Sequence, residues 1–129
     1  MAYSDFTSMP IWQHGLSLLI EVYRVSKQFP VEERYGLTSD MRRAANSIIH
    51  NIAEGYGRFE NKDKSRFYKI SRGSAYELIS QLFASHLLGY IIIDEKQRMV
   101  DQCKGIIDEA DKLILSVETR KQPKSSPQP

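Results

Sequence analysis

One apolar stripe in the middle of the chain sets the strongest limit on the fold. Its members are spaced by four, four, three, four and four positions, in the order Leu37, Met41, Ala45, Ile48, Ile52 and Tyr56. Residues three and four apart lie on one face of an α-helix, whereas a half-buried strand alternates with a period of two. The stripe therefore predicts an amphipathic helix that other helices must cover.

Three further segments repeat this helical period, so four helices are predicted in all. They cover roughly residues 10–28, 62–88 and 94–118, and no alternating stretch of similar length competes with them. Asp94 and Gln97 resemble a capping pair at the start of the last helix. Because the connections are short, we expect an all-α fold, an antiparallel up-down-up-down four-helix bundle.

The third predicted helix has more apolar surface than one core contact requires. We expect its core side to consist of Phe67, Ile70, Ala75, Leu78 and Leu82. A second side carries Tyr68, Tyr76, Ile79 and Phe83. This second side either packs against another helix of the same bundle or joins copies of the chain.

The length of the chain suits one domain. At 129 residues with 41% hydrophobic and 26% charged residues, it has a globular composition and room for a single core. We expect the bundle to span residues 1–118. Residues 119–129 contain three prolines and no aromatic residue, which predicts a disordered C-terminal tail.

Nothing in the sequence predicts export or membrane insertion. The longest run without Asp, Glu, Lys or Arg, residues 78–93, is shorter than the roughly 20 apolar residues of a membrane span. The N-terminus lacks the basic and apolar segments of a secretory signal. Cys103 is the single cysteine, so no internal disulfide can form, and we expect it to be a buried apolar residue. These features predict a cytoplasmic protein.

Charge is unevenly distributed along the chain, although the net charge is only +2. Residues 40–72 contain eight basic and four acidic side chains, whereas residues 94–118 contain four basic and seven acidic ones. Such an asymmetry can attract a polyanion, or it can complement a neighbouring copy of the same chain.

The first candidate binding surface is a basic stripe at the start of the third predicted helix. Its members, at spacings of four, four and three, are Arg58, Lys62, Arg66 and Lys69. They share one side if the helix extends as far as Arg58, and a row of cations suits a phosphate backbone. The alternative is a solvated helix face, moderated by Glu60 and Asp63.

The second candidate lies on the second predicted helix. Arg42 and Arg43 are followed by a polar ridge formed by Asn46, Ser47, His50, Asn51 and Glu54. The two guanidinium groups could bind phosphates or a carboxylate. Alternatively, Arg43 pairs with Asp40 or with an acidic residue of the fourth helix, in the same subunit or in another.

Signatures of catalysis and of metal binding are missing from the sequence. None of His14, His50 and His86 has a glutamate three positions before it, so the di-iron pattern of helical bundles is missing. Glu60 stands where a dinucleotide fingerprint beginning at Gly55 would need its third glycine. We therefore predict no metal, no cofactor and no enzymatic activity. A polar site near His50 and Glu54 is the last-ranked alternative.

Several segments carry a resemblance to a known family. They are Leu37 to Ala45, Ser47-Ile48, Asn51 to Gly55, Gly73-Ser74 and Glu77-Leu78. The chain resembles the four-helix-bundle proteins encoded in intervening sequences of bacterial 23S rRNA genes, over roughly residues 6–117. The motif residues that match are Arg42, Arg43, Ser47, Asn51, Glu54 and Gly55. They either preserve packing between helices or subunits, or form a ligand site.

The resemblance implies a bundle assembled as a ring-shaped homopentamer. It also implies kinship with the accessory protein of diversity-generating retroelements, a basic pentamer that partners a reverse transcriptase and nucleic acid. This chain departs from the family at Asp40, where Gln is common, and at Gly15 and Ser71, where Ala is common. Its net charge of +2 is also far lower than that of the retroelement relative.

The leading hypothesis is a non-enzymatic, oligomeric binding module that contacts the backbone of RNA or DNA. The predicted contacts are Arg42, Arg43, Arg58, Lys62, Arg66 and Lys69. The alternative is a scaffold that binds a protein partner, in which the basic residues form salt bridges between subunits.

Overall fold

The computed structural model describes residues 5–120, which form four long helices and no strand. The helices are α1 (Pro10–Ser26), α2 (Leu37–Gly57), α3 (Asn61–Leu87) and α4 (Ile93–Thr119). Single 3-10 turns, Phe6–Ser8 and Val31–Glu33, precede α1 and α2. The predicted all-α fold with four helices is confirmed, and most of the predicted tail lies outside the described residues.

The helices are antiparallel, as two contacts between loops show. The Phe29 ring, in the α1–α2 loop, lies 5.1 Å from the Tyr90 ring of the α3–α4 loop, centre to centre. The Tyr90 hydroxyl donates to Glu33 Oε2 at 2.9 Å. Both loops therefore lie at one end of the bundle, which we call the loop end. The α2–α3 connection lies at the opposite end, which we call the cleft end because a cleft described below opens there.

The helix termini are capped in several different ways. Glu33 Oε1 accepts a hydrogen bond from the backbone amide of Leu37 at 3.1 Å, so a side chain from the preceding turn caps α2. The predicted pair of Asp94 and Gln97 is wrong, because Gln97 Nε2 donates to Asp101 Oδ1 instead. Gly89 ends the α3 segment with a φ of 84°, a left-handed conformation that favours glycine.

The core consists of apolar side chains from all four helices. Those that are essentially inaccessible include Leu18, Val22, Met41, Ile48, Ile52, Leu78, Leu82, Met99, Val100 and Ile106. Burying one such side chain stabilises the fold by about 1.5–3 kcal/mol. Cys103 is also fully buried, and burial raises the pKa of its thiol to about 12.

The predicted core side of α3 is wrong at its N-terminal half. Ile70 is 43% exposed, whereas Tyr68, which was assigned to the second side, is only 2% exposed. The buried face of α3 includes serines as well as apolar residues, and Ser71 Oγ donates to the carbonyl oxygen of Ile48 at 2.8 Å. Because a serine can be buried once its hydroxyl is hydrogen-bonded, this face has no clear apolar period.

None of the four helices within residues 5–120 is both long enough and apolar enough to cross a membrane.

Candidate nucleic-acid interface

The predicted basic stripe comes from two elements rather than from one helix. Arg58 follows the last residue of α2 in an extended conformation, while Lys62, Arg66 and Lys69 lie on α3. Phe67 brings the two parts together, because the guanidinium carbons of Arg58 and Arg66 lie 4.7 and 4.3 Å from the centre of its ring. Cation–π contacts of this kind hold guanidinium groups in place while they stay solvated.

Three of the four stripe residues already pair with carboxylates. Arg58 binds Glu54 at 2.6 Å, Lys69 binds Glu118 at 2.6 Å, and Arg66 lies 3.9 Å from Asp63. Within the described chain, Lys62 makes no ion pair. All of these pairs are solvent-exposed, and exposed pairs are worth only about 0–1 kcal/mol each, so an incoming anion can replace them.

The stripe borders an open cleft between the start of α3 and the end of α4. The cleft has a volume of about 820 Å³ and is lined by Lys62, Arg66, Lys69 and Arg120, with Ile70 and Val117 among its other residues. We call it the basic cleft.

Glu118 lies on the α4 side of the basic cleft. Its Oε2 accepts hydrogen bonds from Lys69 Nζ at 2.6 Å and Ser65 Oγ at 2.5 Å. These two donors, Lys69 first, lower the pKa of Glu118 below its ordinary value. Glu118 is therefore an internal anion bound to one of the cations that would contact a phosphate.

Arg42 and Arg43 lie outside the basic cleft. Arg43 lies fourteen positions before Gly57, the last residue of α2, which corresponds to roughly 21 Å along the helix. Arg42 Nε donates to Ser26 Oγ at 2.9 Å, and its guanidinium carbon lies 4.6 Å from the centre of the Tyr23 ring. The six predicted nucleic-acid contacts thus fall into two groups.

The partner of Arg43 is Glu77 of α3, neither Asp40 nor an acid of α4. The two side chains meet at 2.6 Å, and the hydrogen bond to Glu77 raises the pKa of Arg43 further above its ordinary value. Both side chains are exposed. The contact joins two helices of one subunit.

Other motif residues form a polar seam between α2 and α3. The hydroxyl oxygens of Ser47 and Ser74 are 2.7 Å apart, and Asn51 Nδ2 donates to the Ser47 carbonyl at 2.8 Å and to Ser47 Oγ at 3.0 Å. Gly55 faces the Tyr68 ring so closely that a Cβ atom there would lie 2.5 Å from Tyr68 Cε1. We call these five residues the motif seam. They make contacts between two helices of one subunit, and a ligand role for the motif stays a prediction.

The last-ranked catalytic alternative gains no support from the geometry. Glu54, the carboxylate that would act beside His50, is engaged by Arg58 at 2.6 Å. Between residues 5 and 120, no three His, Cys, Asp or Glu side chains converge as a metal site would require.

Several residues at the cleft end were missed by the sequence analysis. Glu118 and Arg120 reach the basic cleft from α4, and Lys64 donates to the carbonyl oxygens of Gly55 and Tyr56 at 3.3 and 2.9 Å. An antiparallel bundle places the end of α4 beside the start of α3. The predicted topology therefore indicates that Glu118 and Arg120 lie near the basic stripe. The hydrogen bonds of Lys64 depend on how the α2–α3 connection turns, which no spacing reveals.

The described residues define a class of protein, an antiparallel helical bundle with an exposed basic cleft. The family model of the 23S rRNA-intervening sequence protein matches residues 7–112, and the chain belongs to this family. The predicted resemblance is thereby confirmed for the family itself.

The fold is also seen in a solved structure of low sequence identity. It is the crystal structure, at 1.70 Å resolution, of a protein with unknown function from the S23 ribosomal protein family of Bacteroides thetaiotaomicron VPI-5482. The two chains are 16% identical and superpose with a TM-score of 0.75, over 81% of this chain and 97% of the other. The chain matches no curated protein.

Proposed function

We propose that this protein is a non-enzymatic, oligomeric module that binds the backbone of RNA or DNA through the basic cleft. The observation that carries the proposal is the convergence of Lys62, Arg66, Lys69 and Arg120 on one open cleft. Cations that share a groove attract a phosphate backbone and release its counterions on binding. Arg58 extends the same surface through its contact with Phe67.

The ion pairs of the stripe favour a reversible interaction. Each existing pair is exposed, so a phosphate that replaces the carboxylate forms a comparable charge-assisted hydrogen bond at little cost. Membership in a family named after a sequence inserted in 23S rRNA is a reason to test RNA first. Arg42 and Arg43 would contact the same nucleic acid only if it continued along α2.

Assembly as a ring-shaped homopentamer in the cytoplasm is the second part of the proposal. Tyr76 and Phe83 lie on α3 with half of their surface accessible, and Leu87 follows on the same helix with 82% exposed. Apolar side chains in this arrangement suit contacts between subunits. A ring would present several basic clefts to one polyanion, which increases the effective affinity.

A protein-binding scaffold is the competing function, and one observation favours it. Arg43 pairs with Glu77, and Arg72 Nε donates to Asp111 Oδ1 at 2.5 Å, so cations outside the cleft already hold helices together. The basic residues of the cleft could have the same role between subunits. Removal of the cleft cations distinguishes the two functions: a nucleic-acid-binding module loses affinity for nucleic acid, whereas a scaffold dissociates into monomers.

The test is binding to a mixed pool of labelled RNA and DNA across a salt series, with the molecular mass measured in the same buffers. We expect affinity to fall steeply with salt while the oligomer persists. The triple variant Lys62→Ala, Arg66→Ala and Lys69→Ala should weaken binding. It should also reduce the slope of log affinity against log salt concentration by about two to three, because each lost phosphate contact contributes about 0.9. The matched control removes three cations elsewhere, at Lys27, Arg98 and Lys104.

Each other outcome has a defined meaning. Equal losses in the triple variant and in the control would show that net charge, rather than the cleft, attracts nucleic acid. Dissociation of the triple variant into monomers would support salt bridges between subunits. An intact oligomer that binds no nucleic acid even at low salt would overturn the proposal and leave the scaffold function.

A further inference from the structure

A second cavity lies at the cleft end, on the other side of Val117 and Arg120. It has a volume of about 460 Å³ and is bordered by the start of α1, the α2–α3 region and the end of α4. Much of its wall is apolar, formed by Met9, Ile11, Leu113 and Val117. Cavities of this size are in the range that holds small organic ligands.

Tyr68 supplies a hydrogen-bond donor to this cavity. The residue is 2% exposed and lines the cavity, yet its hydroxyl makes no hydrogen bond within the described chain. Burial raises the pKa of Tyr68 to about 12, so the hydroxyl keeps its proton at neutral pH. A ligand in the cavity can therefore accept a hydrogen bond from the Tyr68 hydroxyl in place of solvent.

The same cavity carries excess positive charge. Lys64 is half-buried, and two of its three N–H groups are directed at the carbonyl oxygens of Gly55 and Tyr56. Burial, and then the nearby charge of Arg120, lower the pKa of Lys64 below its ordinary value. Lys112 adds a third cation to the lining.

The acid of the cavity does not balance these charges. Glu109 is the acid in the cavity lining, against the three cations Lys64, Lys112 and Arg120, and its Oε1 lies 2.8 Å from Nδ1 of His14. Lys64 and Arg120 therefore face the cavity without a carboxylate partner in the described structure. Like charges held together in a partly apolar cavity favour an anionic ligand.

We propose that this cavity binds a small organic anion with an apolar body, of the class of medium-chain carboxylates. The Tyr68 hydroxyl, the free N–H of Lys64 and the Arg120 guanidinium would hold the carboxylate, and the apolar wall would contact the chain. Arg120 and Val117 line both this cavity and the basic cleft, whereas Tyr68, Lys64 and Leu113 line this cavity alone of the two.

The test is isothermal titration calorimetry of the full chain with octanoate, octan-1-ol, octylammonium and acetate. We expect octanoate to bind saturably with one molecule per chain. The uncharged and cationic octyl compounds should bind at least about tenfold more weakly, because each loses a charge-assisted hydrogen bond. Acetate should also bind weakly, since it lacks the apolar body.

Two variants locate the binding. Tyr68→Phe keeps the ring against Gly55 but removes the hydroxyl, and should reduce octanoate affinity about tenfold while leaving octan-1-ol unchanged. Its control is Tyr76→Phe, at an exposed tyrosine of the same helix, which should bind octanoate as the parent does. Leu113→Phe adds volume to the cavity wall and should abolish binding of every octyl compound.

Three results would overturn the proposal. The first is equal affinity for octanoate and octylammonium, and the second is unchanged octanoate affinity in both Tyr68→Phe and Leu113→Phe. The third is the absence of a saturable heat up to about 5 mM octanoate, a concentration at which even millimolar affinity is detected. Nucleic-acid binding by Tyr68→Phe should equal that of the parent protein. Because Tyr68 and Leu113 line this cavity and not the basic cleft, these two variants test the cavity without removing a cation of the cleft.

Discussion

The motif seam and the basic cleft use polar residues in opposite ways. In the seam, Ser47, Asn51 and Ser74 are neutral and largely covered, with Ser47 bonded to Ser74 across α2 and α3 and Asn51 donating to Ser47 within α2. In the cleft, Lys69 and Glu118 are charged, exposed and paired in a way that a solvent ion can replace. The seam residues of the family motif therefore join two helices of the bundle, while the basic cleft lies on a different surface of α3.

The largest expected effect is on the seam, from Gly55→Ala. The added Cβ would lie 2.5 Å from Tyr68 Cε1, so the ring or the helix must shift, and we expect a loss of about 2 kcal/mol in the free energy of unfolding. The matched control is Gly105→Ala on α4, where a Cβ meets nothing within 4 Å. The control should gain about 0.5–1 kcal/mol from helix propensity. Urea unfolding measures both, and equal stabilities would contradict the close contact.

Alkaline pH should also weaken the seam. Burial raises the pKa of Tyr68 from 10.0 to about 12, so its contribution is fully present below pH 10 and is lost as the pH rises towards 12. Other groups titrate in the same range, so the informative quantity is the difference from Tyr68→Phe. That variant should lose less stability between pH 10 and 12 than the parent, whereas Tyr76→Phe should follow the parent. Parallel curves for all three proteins would contradict the burial of the hydroxyl.

A smaller effect is expected from Ser47→Ala. Removing Ser47 Oγ deprives Ser74 and Asn51 of a hydrogen-bond partner, which should lower the free energy of unfolding by about 1 kcal/mol. Ser80→Ala, an exposed serine on α3, is the control and should stay within about 0.5 kcal/mol of the parent. If Ser47→Ala lost nucleic-acid affinity while its free energy of unfolding stayed unchanged, the motif seam would be a ligand site rather than a packing contact.

The smallest effect on stability is expected in the cleft, from Glu118→Gln. The exposed pair with Lys69 contributes little, so urea unfolding should hardly change. Nucleic-acid affinity should rise about threefold at low salt, because Lys69 is released and one negative charge leaves the cleft. Weaker binding in Glu118→Gln would show that this carboxylate supports the interface.

The depressed pKa of Glu118 gives this prediction a pH dependence. The carboxylate stays ionised until the pH falls below its ordinary value of 4.5, so its competition with phosphate persists down to that range and ends below it. The ratio of affinities between the variant and the parent should therefore shrink towards one as the pH falls through the pKa of Glu118. Binding assays at matched ionic strength measure this ratio.

Much of the fold could be predicted because three of the helices have regular apolar stripes. On α2, Met41, Ile48 and Ile52 are all fully buried, as their spacing predicts. The orientation of α3 could not be predicted in its first half, because Ser71 is buried there through a hydrogen bond and Tyr68 through a glycine on α2. Neither feature produces an apolar period within α3.

The candidate site was predictable only in part. The spacing of Lys62, Arg66 and Lys69 correctly places them along one side of α3 at the cleft. The spacing fails at Arg58, since the chain leaves the helical conformation between α2 and α3. The position of Glu118 depends on the register between α3 and α4, which results from the packing of the whole bundle. A pattern within one helix holds no information about that register.

The antiparallel topology has a practical consequence for engineering. The start of α1 and the end of α4 border the same cavity, so these two helix ends lie close to both candidate sites. Joining the two helix ends by a linker and opening the chain at the α3–α4 turn should give a circular permutant with the same helix contacts. Its new termini, and any label attached to them, would lie at the loop end, far from the surfaces under test.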